Sequence, residues 1–235
     1  MTSTWQSAAA ALVTDLRNVF SQRLRAVVAY GPQLDGRTSA PLTTLVLVAD
    51  LTVSDLEACA EASRRWERAG VATPLILPED EFRRSLDAFP LEYGEIIRAH
   101  ALVFGNDPFA SVEISRDDLR RACETQVKSH LVHLREGFIE TGGRVTAVGE
   151  LVAASAPAFA ALLRNVARLH GVETGDRMEA PLSGARAARL PDGLVGDMLA
   201  LEHPATIPTL DPARLFPDYL AAVEQLARTV DTWHT

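Results

Sequence analysis

Lysine is nearly missing from this 235-residue chain: of its 23 basic residues, only Lys128 is not an arginine. Acids outnumber bases, and a formal net charge of −8 argues against a general, phosphate-driven grip on nucleic acid, which needs clustered Lys and Arg. Cysteine is scarce as well. Cys59 and Cys123 have no C-x-x-C spacing and no histidine cluster beside them, so they read as buried thiols and not as a disulfide or zinc site. No apolar run approaches the length of a membrane span. The first ten residues lack the basic segment and long apolar core of a signal peptide. A cytoplasmic protein with no membrane partner is expected. The fingerprints G-x-S-x-G, G-x-x-x-x-G-K and G-x-G-x-x-G are absent, which removes the usual marks of serine hydrolases, P-loop enzymes and dinucleotide binders. Arginine in place of lysine, with much Ala, Leu and Val, resembles the usage of a GC-rich bacterial genome.

A hydrophobic content of 47% is ample for one large or two modest domains. Two β-branched apolar segments, Arg25 to Tyr30 and Leu42 to Ala49, flank a turn-rich run that opens with Gly31 and Pro32. Ahead of them, Ala9, Leu12, Val13, Leu16, Val19 and Phe20 recur at helical spacing and predict a helix over 6–23. Behind them, Thr52 and Asp55 have the spacing of a capping box, and Gly70 ends the helix it opens. A strand over 73–77 follows. Pro78-Glu79-Asp80-Glu81 then places three acids in the first turn of a short helix to Asp87, where they complement the helix dipole. A helix over 90–99 and a strand His100 to Gly105 lead to Asn106-Asp107-Pro108.

This order of elements, the glycine after the first strand and the strand-and-turn Val103-Phe104-Gly105-Asn106-Asp107-Pro108 resemble the nucleotidyltransferase fold, the superfamily typified by DNA polymerase beta. The resemblance spans about residues 7–112. In active members a glycine and a small residue follow the first strand, and a second strand carries Asp-x-Asp or Asp-x-Glu. The chemistry explains the pair: residues i and i+2 of a strand share a face, and carboxylates bridge two Mg²⁺ ions that carry the phosphoryl chemistry. Here the first acid would fall between Leu42 and Val46 and the second between Thr44 and Val48, where every residue is Leu, Thr or Val. Pro32 also has no N–H to offer a phosphate. Tyr30, Gly31, Pro32, Leu42 and Thr44 are therefore the positions of a degenerate nucleotide site. The third acid's strand, Ala72 to Leu77, is acid-free too.

From Ser115 onward the pattern is all helical, and a helical bundle is predicted over 113–235. A helix from Leu119 to Leu134 and beyond ends near Gly142. A second runs over 146–170, with Pro157 expected to kink or interrupt it. Residues 171–178 form a polar link, short helices are expected over 185–190 and 192–201, Pro204 and Pro208 impose an extended connector, and Asp211-Pro212 starts the last helix. Arg164 and His170 match the R-x(4–6)-H pattern of the HEPN family, in which such pairs serve ribonucleases. An arginine-rich chain with six histidines meets so loose a pattern by chance, and a cationic pair also complements a helix C-terminus. His130 and His133 stand three apart on a helix, with too few further donors for a metal.

The expectation is thus an α/β nucleotidyltransferase-like domain over 1–112 and a helical bundle over 113–235. Its expected function is non-catalytic: binding, regulation or scaffolding for an unknown protein partner or small molecule, with homo-oligomers allowed and no cofactor. One alternative is nucleotide transfer from Mg-NTP with non-standard acids, Asp35, Asp50 and Glu79. Another is a ribonuclease using Arg164 and His170.

Overall fold

In the computed structural model the apolar run Leu24–Tyr30 becomes strand β1, an inner strand of a four-stranded mixed sheet of order β3-β2-β1-β4. The structure describes residues 4–35, 40–172, 179–201 and 211–233. Strand β2 is Thr43–Val48, β3 Leu75–Pro78 and β4 His100–Gly105. β1 runs antiparallel to both β2 and β4, and β2 is parallel to β3. A parallel neighbour needs a crossover, supplied by helix α2, Val53–Arg68. The chain divides into two units, Met1–Ser115 with the sheet and Arg116–Thr235 with helices only.

Both faces of the sheet are covered, which is why β1 and β2 read as nearly continuous apolar runs. Leu12, Leu16 and Phe20 of α1, Thr4–Phe20, pack with Trp66 of α2 on Val27, Val46 and Val48. On the other face Ala26, Val28, Leu45 and Leu47 meet Phe82 of α3, Glu79–Arg84, and Tyr93 and Ile96 of α4, Pro90–Arg98. The expected capping box at α2 is present: the Thr52 hydroxyl accepts from Asp55 N–H, and the Asp55 carboxylate accepts from Thr52 N–H. Helix α1 ends earlier than its periodicity suggests, because Ser21 takes φ 51° in a short 3-10 turn, Ser21–Arg23.

The second unit consists, among the described residues, of α5 Arg116–Glu140, α6 Val145–Leu169, α7 Glu179–Ala187, α8 Asp192–Leu201 and α9 Pro212–Asp231. Helix α6 packs against all four others. Contrary to the sequence expectation, α6 is by length and composition apolar enough to cross a membrane, with a mean hydropathy of 1.6 over an 18-residue window. Its Val152, Phe159, Leu163 and Val166 are fully buried in the bundle. The helix runs on through Pro157, so of the expected kink or interruption the interruption does not occur. Pro157 lies on the exposed side, and the packing on α6's other faces holds the turn that the missing N–H weakens. Most of the polar link (173–178) and the connector with Pro204 and Pro208 lie outside the described residues.

Candidate functional site

Gly31 leaves β1 with φ +87°, and a Cβ there would stand 2.8 Å from Thr43 Oγ1. Glycine is the residue that takes this conformation without strain. A 3-10 turn, Pro32–Asp35, follows, and Leu34 N–H closes it on the Gly31 carbonyl at 3.2 Å. The Thr43 hydroxyl is already committed, donating to the Tyr30 carbonyl at 2.6 Å. The Tyr30 phenol is half-buried, and burial raises its pKa.

The ladder register sets Thr43 opposite Tyr30, and Tyr30 opposite His100. Paired residues project to the same face, so this end of the sheet carries a Thr43, Tyr30 and His100 row. His100 Nδ1 is 3.0 Å from the Ile97 carbonyl and Nε2 is 3.5 Å from Asp107 Oδ1. Its ring meets Phe109 edge-on at 4.7 Å between centroids. Asp107 also accepts from Phe109 N–H at 2.9 Å. Sequence reasoning placed His100 only as a strand start and Asp107 only in a turn. The strand-and-turn pattern around them was the signal that they would meet.

Strand alternation separates the two halves of the suspected motif window. Leu42 and Thr44 turn towards α1 and α2 and are 0% and 1% exposed. Thr44 Oγ1 has no hydrogen-bond partner among the described residues. Thr43, Leu45 and Leu47 turn to the other face. There Leu45 is fully buried beneath an aromatic cluster in which Phe82 lies 5.0 Å from Tyr93 and 5.8 Å from Phe109. Neither face offers an open carboxylate pair.

The alternative acids do not converge. Asp35 ends the 3-10 turn beside Gly31, and its side chain lies outside the described residues. Asp50 follows the far end of β2, roughly 20 Å away at the rise of a strand. Arg23 engages Asp50 at 2.8 Å and grips both carboxylate oxygens of Asp55, at 2.8 and 2.6 Å. That grip, with the Thr52 bonds, holds the Asp55 carboxyl far below the usual carboxylate range. Glu79 stands at the same end as Asp50, because β3 is parallel to β2, and it pairs with Arg83 at 3.3 Å. Magnesium takes hard oxygen ligands, carboxylates above all. The described side chains around Gly31 do not fit that ion, and no group of three or more His, Cys, Asp or Glu among the described residues suits any metal.

In the helical unit, Arg164 and His170 are six residues apart, about 120° around a helix, and share no face. His170 caps α6, and its ring lies 6.2 Å from that of Trp233. His130 and His133 diverge too. His130 Nε2 is 2.7 Å from the Tyr219 hydroxyl, inside the bundle, whereas His133 is exposed beside Glu136. Burial lowers the pKa of His130 and raises that of Tyr219. Both cysteines are free and buried, and burial pushes Cys123 up to about 12, so neither is a poised nucleophile.

No protein-family model matches the chain, and no curated protein matches its sequence. Among solved structures it is similar to the spectinomycin adenyltransferase AAD(9) from Enterococcus faecialis, crystallised with ATP and spectinomycin. The TM-score is 0.59 at 11% identity, over 96% of this chain and 99% of that one. With so few residues shared, the likeness speaks for architecture alone: the chain has the fold of a nucleotidyltransferase followed by a helical part.

Proposed function

We propose that this chain keeps the nucleotidyltransferase architecture without its chemistry, and acts in binding, regulation or as an interaction scaffold. One observation carries the reading. The strand that would bear the metal-binding acids presents Thr43 and Leu45 to a face closed by Phe82, Tyr93 and Phe109. The alternative acids on described side chains, Asp50 and Glu79, stand at the other end of the sheet, held by Arg23 and Arg83, and Asp107, nearer Tyr30, lies against His100 and accepts from Phe109 N–H.

The test is thermal melting with each of the four NTPs, with and without Mg²⁺. A ligand at 100 times its dissociation constant stabilises by about 2.7 kcal/mol, a shift of a few degrees. No Mg-dependent shift is expected, and no pyrophosphate release from Mg-ATP with spectinomycin as acceptor. The fold shared with an ATP-binding adenyltransferase supports the competing reading, nucleotide transfer. A Mg-dependent shift that Asp35→Asn with Asp50→Asn abolishes would establish that reading and overturn ours.

A further inference from the structure

Helices α2, α6 and α7 end in the same pair of backbone hydrogen bonds. Gly70 and Val71 N–H return to the Glu67 and Trp66 carbonyls, Gly171 and Val172 to Arg168 and Ala167, and Arg189 and Leu190 to Arg186 and Ala185. This closure needs one left-handed residue, which glycine supplies without strain, as Gly70 and Gly171 do at φ 76° and 73°. After α7 that place is held by Arg189, at φ 57°. An arginine kept where glycine would fold better is a mark of function rather than of stability.

Arg189 lines a cleft of about 600 Å³ between α8 and α9, a size that suits a small ligand. Leu190, Leu194 and Ala222 give it an apolar, buried lining. Each wall adds a base and an acid: Arg189 and Asp197 on one, Arg228 and Asp218 on the other. The side chains of Arg189, Asp197 and Asp218 make no ion pair or hydrogen bond among the described residues, and Arg228 bonds only to the neutral Gln225. Other acids of α9 are neutralised, Glu224 by Arg135 and Asp231 by Lys128 of α5.

We propose that this cleft binds a short apolar peptide with both ends free, its carboxylate taken by the arginines and its ammonium by the aspartates. A guanidinium fork matches a carboxylate. A ligand of one charge would leave the opposite pair uncompensated beside the same apolar lining, so the complement is a zwitterion. Its length follows from α9. Asp218 and Arg228 stand ten residues apart, about 15 Å along a helix, and an extended tetrapeptide spans about 13–14 Å.

The experiment is isothermal titration calorimetry of the full chain with the tetrapeptide Leu-Ala-Ala-Leu, free, N-acetylated or C-amidated. The cleft lies wholly in the helical unit, so the result is separate from that of the nucleotide melts. The free peptide should bind, and blocking either end should raise its Kd at least about tenfold. Arg189→Gly should weaken the free peptide to a similar extent, leave the amidated one unchanged, and melt no lower than the parent, because glycine suits the turn. Asp218→Asn should weaken the free peptide and leave the acetylated one unchanged. A chain that takes up no free peptide at millimolar concentration overturns the inference. So does binding indifferent to the blocked ends, or binding that both variants leave as it was.

Discussion

Across the β1–β2 ladder, Thr43 donates its hydroxyl to the carbonyl oxygen of Tyr30 at 2.6 Å, at the end of the sheet where Gly31 turns the chain. Two residues on, and on the same face, Leu45 is wholly buried. On this face of β2, position 43 is committed to a hydrogen bond and position 45 to the core.

Acids placed at those two positions should therefore destabilise the fold, far more at Leu45 than at Thr43. Leu45→Asp leaves an unpaired carboxylate in the core and should destabilise by about 3–5 kcal/mol. Thr43→Asp loses one hydrogen bond and should cost about 1 kcal/mol. Urea unfolding followed by circular dichroism measures both. A double variant that stayed folded and bound Mg²⁺ would show the site to be far more open than its packing implies.

The start of α2 should be sensitive to its cap and to acid. Thr52→Ala removes the side-chain half of the capping box and should cost about 1 kcal/mol. The Asp55 carboxyl titrates below its ordinary value of 3.8 in the folded chain, chiefly through the Arg23 hydrogen bonds. Its contribution is therefore complete above pH ~4 and declines as the pH falls below that value. Asp55→Asn should flatten this acid limb in melts taken from pH 5 downward. An unchanged limb would assign it to other carboxylates.

Two glycines mark backbone contacts that no side chain can enter. A Cβ on Gly184 would lie 1.9 Å from the Leu163 carbonyl oxygen, and one on Gly105 would lie 2.0 Å from the Arg25 carbonyl oxygen. Gly105 also has φ +81°. Each alanine variant should lose at least about 1–3 kcal/mol, the usual cost of overpacking, as read by denaturant midpoints. Gly193→Ala, with open space around it, is the control and should be neutral or mildly stabilising.

Helix α5 is tied to α9 by His130 and Tyr219. Burial, with His133 as a lesser cause, holds the His130 pKa below its ordinary 6.5, so folding favours the neutral ring. Its contribution is intact above about pH 6.5 and is lost as the pH falls through the lowered folded value. Tyr219→Phe leaves a ring nitrogen unpaired and should cost about 1–3 kcal/mol. His130→Phe should remove the mild-acid loss, as melts between pH 7 and 5 would reveal. A curve unaltered by His130→Phe would place the titration elsewhere.

What could be read directly from the chain was local. The capping box of Thr52 and Asp55, the apolar strands on either side of Gly31, the missing acids between Leu42 and Val48 and the helical second half all follow from residues within a few positions of one another. Propensity, periodicity and turn chemistry act over that range. That α6 continues past Pro157 was not legible there, because the packing that carries the helix comes from helices distant in sequence. Only the tertiary structure decided that Thr44 turns into one core and Thr43 towards the other, since a strand's faces acquire meaning when layers cover them. It decided likewise that Asp50 belongs to Arg23 at the end of the sheet away from Gly31, that His100 joins the row of Tyr30, and that His130 meets Tyr219. Each of these depends on where remote segments come together, and that is set by the burial of both sheet faces and of α6, not by any local run of residues.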